Sequence, residues 1–453
     1  MKRPNVLFVP VDDLRPQLAC YGHRQMISPN LDRLAAGGIV FQRAYCQVPV
    51  CGASRASLLT GVRPNRNRFV DFKTWADEDL PGALTLPEHF RKHGYVTVSN
   101  GKVFHHGRDA AERSWDDAPW HPTGGWGGRG YLLDENRRLA DENTRRKGCG
   151  PAYECADVAD SDYADGKVAD KTIADLRQLA REDRPFFLAA GFYKPHLPFN
   201  APKRYWDLYR REDIDLADNP FAPKGAPSCA LHGWHELRAY VGIPQEGPVP
   251  DEVARALIHG YYACVSFHDA QVGRLLDALD ELGLRENTIV VLWGDHGWQL
   301  GEHGLWCKHC NFDTSLHAPL IASAPGLAGG RSTRGLVEFL DIYPTLCDLA
   351  GIPVPDACQG RSFAPLMGDP DRSWKEAAFC RYYDGDSVKT DRYLYTEWRK
   401  DDQAEPHARM LYDHEADPDE NVNISERPEH ADLVARLAST LAEGRALGAA
   451  AAG

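Results

Sequence analysis

The sequence predicts an α/β fold: a large, mainly parallel β-sheet sandwiched by helices, followed by a smaller C-terminal antiparallel sheet plus helix. Three observations carry this reading. Apolar strand patterns alternate with helical patterns through the N-terminal two thirds, the signature of a parallel sheet covered on both faces. After about residue 370 the alternation gives way to short strand patterns and one terminal helix. With 453 residues the chain is also too long for one ordinary domain. The expected division is a main α/β domain over 1–370 and a small α+β unit over 371–453.

Taken in order, the strands of the main sheet are expected at 5–11, 39–45, 95–99, 185–192, 287–294 and 317–323. Ser28 is read as a helix cap with Pro29 at the first helical position, and Gly37-Gly38 closes that helix. Thr85 caps another helix, which ends at Gly94. Val168, Ile173, Leu176 and Leu179 recur at helical spacing, as do Val272, Leu275, Leu279 and Leu282, and both stripes read as core packing. Residues 115–155 are rich in Gly, Trp, Asp and Arg, which predicts a long surface excursion near a binding site. Residues 218–250 also read as loop. Strand patterns at 387–398 and 408–412 and a helix from about residue 428 complete the chain, with a frayed tail at 449–453.

Hydrophobic residues make up 43% of the chain, including eleven Trp, but no apolar run is long enough to cross a bilayer, so a soluble protein without a membrane partner is expected. A formal charge of −13 argues against nonspecific nucleic-acid binding. It leaves anionic ligands open, because a few cations converging in one pocket outweigh a distant negative surface. No signal peptide is visible. The expected location is therefore cytoplasmic, or periplasmic or secreted if a leader has been removed. The twelve cysteines are scattered and read as mostly free thiols. Cys307-Lys308-His309-Cys310 is a C-x-x-C without the second pair that a structural zinc site needs.

Ligands of open α/β sheets sit beyond the carboxyl ends of the strands, so polar residues that end apolar strands are the ones to collect. Asp12-Asp13 ends the first strand, and Asp295-His296 ends the strand at 287–294. Each Asp alone fits a helix or turn cap. Two such pairs at equivalent strand ends instead suit a hard, oxygen-loving cation, without which the carboxylates would repel one another. The third element is Cys51, just before a short helix whose first N–H groups favour an anion. By its surroundings alone it could equally be a buried structural thiol.

Here a resemblance becomes specific. The segment C-x-A-S-R-x-S-L-L-T-G from Cys51 to Gly61 resembles the signature of the formylglycine-dependent (type I) sulfatases of the alkaline phosphatase superfamily, in which the Cys is oxidised to Cα-formylglycine (3-oxoalanine). Similar blocks run in order along the chain: Asn5 to Asp13, Ser28 to Asp32, Gly101 to His105, Lys194-Pro195-His196, Gly294 to Gly297, Gly301 to Gly304 and Leu411-Tyr412-Asp413. Asp12 to Pro16, Gly101 to His105, Phe192 to Phe199 and Asp295 to Trp306 are most similar to the iduronate-2-sulfatase branch. Ala53 departs from the commoner signature, which has Pro at a position that helps the maturation enzyme recognise its site.

The resemblance implies a mechanism. The aldehyde hydrates to a geminal diol, one hydroxyl attacks sulfur and expels the alcohol, and deprotonation of the other releases sulfate and restores the aldehyde. Asp12, Asp13, Asp295 and His296 would hold calcium, or magnesium, together with the modified Cys51. Arg55 would fix the hydrate, while Lys102 and Lys308 would neutralise charge on the sulfuryl group. His105 would be the base that collapses the intermediate. His196 would protonate the leaving oxygen, with Lys308 as the competing acid. Taken alone the two lysines read as solvated surface residues, and their place in matched blocks reverses that. Lys194, Trp298, Asp71 and Trp75 correspond to regions that line the sugar pocket, where an aromatic could stack on a ring or simply pack in the core. His106 is expected in a loop or pocket wall, and Glu302 and His303 in supporting positions.

The implied activity is hydrolysis of sulfate esters of sugars, with 2-O-sulfated uronic acid in a glycosaminoglycan or other sulfated polysaccharide fragment as the expected substrate. A formylglycine-generating enzyme would be a required partner. Two other readings stay open. One is a phosphodiester or phosphonate monoester hydrolase of the same superfamily, although those enzymes tend to lack counterparts of Asp13, Lys102 and His105. The other is a non-catalytic sulfoglycan-binding protein in which Cys51 remains a thiol.

Overall fold

The computed structural model describes residues 3–123, 130–400 and 405–449. Part of the expected 115–155 excursion, and the expected frayed tail from residue 450 onward, lie outside the described residues. Seven strands build the main sheet: β1 (Asn5–Val11), β2 (Ile39–Phe41), β3 (Val96–Gly101), β4 (Phe186–Gly191), β5 (Thr288–Gly294), β6 (Leu320–Ser323) and β7 (Arg331–Thr333). Their spatial order is β7-β2-β6-β5-β1-β4-β3. All neighbouring pairs are parallel except the two made by β6.

The helices that cover it are α1 (Pro29–Ala36), α2 (Cys51–Thr60), α3 (Leu86–Lys92), α4 (Ala164–Leu179), α5 (Asp251–Glu281) and α6 (Ile342–Ala350). Alternation along β1 sends Leu7, Val9 and Val11 into one core with Leu31, Leu34, Val168, Leu176, Leu257 and Leu275, from α1, α4 and α5. Val6 and Phe8 enter a second core with Leu58, Leu59, Leu86, Phe90 and Leu346, from α2, α3 and α6. Both faces of β1 are thus buried, which is why it reads as a continuous apolar run.

Several expectations are corrected in detail. The strand expected at 39–45 is broken into β2 and a two-residue strand, Ala44–Tyr45, that pairs elsewhere with Val337–Glu338. The strand expected from 317 starts only at Leu320, past Pro319, which has no N–H to give a ladder. The stripe at 272–282 is the last part of a helix of 31 residues. Ser28 does not cap α1; its Oγ accepts from the N–H of Ala19 at 3.2 Å. The start of α1 is met by Asp269 of α5, whose carboxylate accepts from the N–H groups of Asn30 and Leu31 at 3.0 and 2.7 Å. Thr85 caps α3 as expected, within a capping box completed by Glu88. The excursion contains a helix, Asp134–Glu142, and a strand, Tyr153–Ala156.

The C-terminal sheet is antiparallel, with β8 (Ala378–Tyr382), β9 (Gly385–Lys389), β10 (Tyr393–Trp398) and β11 (Ala408–Asp413) in sequential order. The pattern at 387–398 is therefore a hairpin. Helix α7 (Ala431–Ala449) packs Leu437 and Leu441 onto Val388, Tyr395 and Leu411. No helix among the described residues is long and apolar enough to cross a membrane. All twelve cysteines are free thiols.

His268 of α5 gives the fold a titratable weak point. It is fully buried, neither ring nitrogen has a hydrogen-bond partner among the described residues, and its ring sits 4.8 Å from that of Phe192. Burial lowers its pKa from 6.5 to about 3. The unfolded chain therefore binds the proton more readily between those values, and stability falls as pH drops through that window. His268→Leu should show a shallower fall in thermal midpoint than the wild type between pH 6.5 and 3; parallel curves from calorimetric scans would contradict this.

Candidate active site

The register of the sheet brings the predicted polar residues together. In the β1–β5 pairing Val11 lies opposite Gly294, so Asp12-Asp13 and Asp295-His296 leave adjacent strands at the same level. The Asp295 N–H donates to the Val11 carbonyl at 3.0 Å, and the Asp13 N–H donates to Asp295 Oδ1 at 3.0 Å. On the other side of β1, Lys102 follows β3 and the turn carrying His196 follows β4. These two strand ends approach closely because both carry glycine. A Cβ on Gly101 would lie 2.1 Å from the Gly191 carbonyl oxygen, and one on Gly191 would lie 2.1 Å from that of Lys102.

Cys51 is the first residue of α2, a helix buried along its whole length, and the signature residues each have a structural task. Gly52 lets the next loop close over the helix start, since a Cβ there would stand 2.7 Å from the Asp71 carbonyl oxygen and 2.9 Å from Phe72 Cα. Ser54 Oγ donates to the Asp295 carbonyl at 2.5 Å, and Ser57 Oγ to that of Val62 at 2.8 Å. Gly61 ends the helix in the left-handed region, with φ of 70°. Arg55, fully buried, donates through Nε to Asp295 Oδ2 at 2.8 Å and through Nη1 to the carbonyls of Lys102 and Val103 at 2.5 and 3.0 Å. Its Nη2 stands 3.5 Å from Asp12 Oδ1 without a hydrogen-bond acceptor among the described residues.

The cluster is strongly acidic. Asp12, Asp13 and Asp295 are each fully buried. Lys102 Nζ donates to Asp12 Oδ2 at 2.5 Å, and Lys308 Nζ lies 3.1 Å from Asp13 Oδ2. Burial holds the Asp13 carboxyl well above the usual range. Burial would also raise Asp295, but His296, Arg55 and Lys102 hold it well below. Burial would lower His296, yet Asp295, the Cys51 thiol and Asp13 push it up to about 9.

These residues fit a divalent cation. Ligand atoms of Asp13, Cys51 and His296 lie within 4.8 Å of one another, and so do those of Asp12, Cys51 and Asp295. Asp12 Oδ1 and His296 Nε2 are buried without hydrogen-bond partners among the described residues, as ligand atoms of a cation would be. His296 Nδ1 meets the Gly297 carbonyl at 2.9 Å, which leaves Nε2 to face the carboxylates, where a bound cation would take the place of its proton.

A cavity of about 360 Å³ opens above Cys51. His105, His196 and Lys308 line it together with Asp71, and so does Glu236, which the sequence analysis does not find. Glu236 stands 2.9 Å from Lys308 Nζ and 3.1 Å from His196 Nε2. It belongs to a four-residue helix, His235–Arg238, inside the stretch that reads as loop, and no local pattern marks it. Burial would raise its pKa, but Lys308 and His196 hold it well below the usual carboxylate range. Burial would lower Lys308, but Asp13 and Glu236 raise it well above the ordinary lysine value. His196 Nδ1 meets the Leu197 carbonyl at 2.6 Å, and burial followed by Lys308 lowers its pKa to about 3 despite Glu236. The imidazole is therefore neutral, with its Nε2 between Glu236 Oε1 at 3.1 Å and Lys308 Nζ at 3.4 Å. Burial and Lys102 likewise keep His105 neutral, and its Nδ1 has no hydrogen-bond partner among the described residues.

Lys194 and Trp298 lie outside this cavity. Lys194 Nζ turns back onto the carbonyls of His196 and Pro198 at 2.9 and 2.5 Å, bracing the turn. Trp298 is buried and carries Lys308 Nζ over its ring at 4.7 Å, so its face is already covered. Trp75 stacks on His106 at 4.3 Å, and both line a neighbouring cavity that His105 shares. Glu302 pairs with Arg15 at 2.8 Å, and His303 stacks on Phe312 at 4.2 Å.

A mainly parallel sheet covered on both faces, with an acidic cluster at its carboxyl edge facing a residue at a helix start, has the parts of a cation-assisted hydrolase. The sulfatase family model matches residues 4–352, and that of the N-sulphoglucosamine sulphohydrolase C-terminal region matches residues 301–446. The chain belongs to the sulfatase family and is a sulfuric ester hydrolase. It is 33% identical to iduronate 2-sulfatase of Mus musculus, covering 96% of this chain and 93% of the relative, and 38% identical to that of Homo sapiens over 79% and 71%. Choline-sulfatase of Rhizobium meliloti is 30% identical over 94% of this chain and 83% of its own length. The fold is shared with a protein solved in complex with its substrate D-glucosamine-2-N,6-O-disulfate, at TM-score 0.77 and 24% identity over 99% of this chain and 98% of that one. It is also shared with a phosphonate monoester hydrolase from Silicibacter pomeroyi, at TM-score 0.77 and 23% identity over 98% and 95%.

Proposed function

We propose that this sulfatase removes sulfate from sugars, including 2-O-sulfated uronic acid in glycosaminoglycan or other sulfated polysaccharide fragments, using Cys51 as formylglycine. The observation that carries the reaction is the position of Cys51, at the start of α2, within reach of the acidic cluster and at the floor of the cavity lined by Lys308, His196 and His105. The uronic acid reading is supported by the identity to the two iduronate 2-sulfatases.

Asp12, Asp13, Asp295 and His296 would hold calcium, or magnesium, with position 51. Such an ion supplies Lewis acidity toward a sulfate oxygen and lowers the pKa of the attacking hydroxyl. The hydrated aldehyde supplies one hydroxyl to attack sulfur and a second whose deprotonation lets sulfate depart. Arg55 Nη2 is the donor left to orient that hydrate, its other groups being committed to Asp295 and the strand end. Lys102, beside Asp12, and Lys308, beside Asp13, would neutralise developing negative charge. His105 is a neutral imidazole with an open nitrogen, suited to take the proton that releases sulfate.

For the leaving alcohol, the geometry favours Lys308 as the proton source and His196 as its partner. Lys308 is the protonated member of the pair, while His196 holds its single proton toward Leu197. Lys308→Ala should reduce kcat on alkyl or sugar sulfates at least about tenfold more than on 4-nitrophenyl sulfate, whose phenolate leaves without help. His196→Ala should show a smaller difference. A larger selectivity in His196→Ala, measured side by side, would return the acid role to His196.

The modification is tested directly. Protein made with a formylglycine-generating enzyme should carry an aldehyde in place of the thiol in the Cys51 peptide by mass spectrometry, and Cys51→Ala should fold normally and lose turnover. A Cys51 that stays a thiol in active protein would sink the mechanism. For the cation, calcium should raise the thermal midpoint of the wild type, worth about 3 kcal/mol at a hundredfold excess over Kd. Asp13→Asn should lose most of that rise; an equal rise in both proteins would place the ion elsewhere.

A further inference from the structure

Arg145 and Arg146 are neighbours on the turn after the helix Asp134–Glu142, yet their guanidinium groups are used differently. Asn143 pins this turn. Its Oδ1 accepts from the N–H groups of Arg145 and Arg146 at 2.9 and 3.4 Å, and its Nδ2 donates to the carbonyls of Cys149 and Ala239 at 2.5 and 2.8 Å. Arg145 adds to the attachment, donating to the carbonyls of Arg238 and Tyr240, both at 3.1 Å. The turn is thereby fastened to the short helix that carries Glu236.

The Arg146 side chain makes no hydrogen bond or ion pair with any described residue, and it lines the cavity above Cys51. Lys308, the other cation in the lining, is matched by Asp13 and Glu236 at 3.1 and 2.9 Å. Among the described residues Arg146 is therefore the cation of the lining without a counter-charge, held on a braced turn. Phe72 and Tyr383 line the same cavity, each 49% exposed. Tyr383 Oη lies 3.4 Å from Asp71 Oδ2, linking the C-terminal hairpin to the loop that carries Phe72. Aromatic faces cover the apolar face of a sugar ring, and a guanidinium takes a carboxylate or sulfate through two parallel hydrogen bonds.

We infer that Arg146 is a specificity-determining residue that receives a second anionic group, a carboxylate or a second sulfate, on the sugar whose sulfate is removed. The inference rests on the sulfatase reading above and adds the charge of the substrate to it: sugars with two anionic groups are preferred over singly charged esters. A cationic alcohol would meet like charge at the same place.

The test compares wild type with Arg146→Ala and Arg146→Lys on a 2-O-sulfated uronate disaccharide, glucosamine 2-N,6-O-disulfate and 4-nitrophenyl sulfate. Arg146→Ala should lower kcat/KM about 10- to 100-fold more on at least one dianionic sugar than on the aryl sulfate, through KM, as the loss of a charge-assisted hydrogen bond requires. Arg146→Lys should recover part of the loss. Which sugar shows the selective loss identifies carboxylate or sulfate as the second anion. An equal loss on all three substrates, or none, overturns the role. Calorimetric titration of the two sugars into Cys51→Ala, with and without Arg146→Ala, separates this from the reaction itself. If the converted wild type releases no sulfate from any substrate, the functional reading fails, and the titration alone decides Arg146: weaker sugar binding in the double variant supports the role, and equal binding overturns it.

Discussion

Asp12, Asp13 and Asp295 are buried together at the carboxyl edge of the sheet, and Arg55, Lys102 and Lys308 are buried with them. Taking such charges out of water costs several kcal/mol per ion, and removing a single partner from a buried set costs about 3–5 kcal/mol. The surrounding structure serves this arrangement. The β1–β5 register sets two of the carboxylates side by side, Arg55 reaches from α2 to tie Asp295 to the end of β3, and paired glycines let the ends of β3 and β4 close up. The carboxylates remain crowded, visible in the elevated pKa of His296 and in Asp12 Oδ1, which has no hydrogen-bond partner among the described residues. Crowded carboxylate oxygens of this kind are what a hard divalent cation would take as ligands.

The Cys signature takes on a physical meaning in this setting. The proposed reaction uses Cys51 and one nitrogen of Arg55, and the rest of the signature holds the helix in place. Gly52 makes room for the loop at 71–72, Ser54 and Arg55 fasten the helix to the end of β5, and Gly61 turns the chain out of the helix. A helix whose ten residues are all buried cannot change its position by small steps, because packed interiors do not yield smoothly. Position 51 is therefore presented to the cluster as rigidly as the strand ends themselves.

The opposite wall of the cavity is built differently. Glu236 comes from the four-residue helix, His232 and Arg146 from irregular segments, and Tyr382 and Tyr383 from the first hairpin of the C-terminal sheet. Loops on a rigid scaffold are where specificity diversifies while the reaction stays constant. The C-terminal sheet is thereby part of the pocket, and its hairpin meets the catalytic side through the contact of Tyr383 with Asp71.

Much of the fold and the reacting half of the site was legible in the sequence because both are local. An apolar run ended by Asp-Asp or Asp-His announces a strand and its carboxyl end within a few residues, and the blocks around Cys51, Lys102, His196 and Lys308 each hold their meaning in adjacent positions. What tertiary structure alone decided depends on partners far apart in the chain. Asp269, some 240 residues after α1, displaced Ser28 as its cap; Glu236 became the partner of Lys308 and His196 without any pattern of its own. Lys194 and Trp298, read as pocket residues, had their polar and aromatic surfaces taken by the turn at 196–198 and by Lys308. Periodicity and motif report which face a side chain leaves from, whereas the long-range packing of one segment against another decides what that side chain meets.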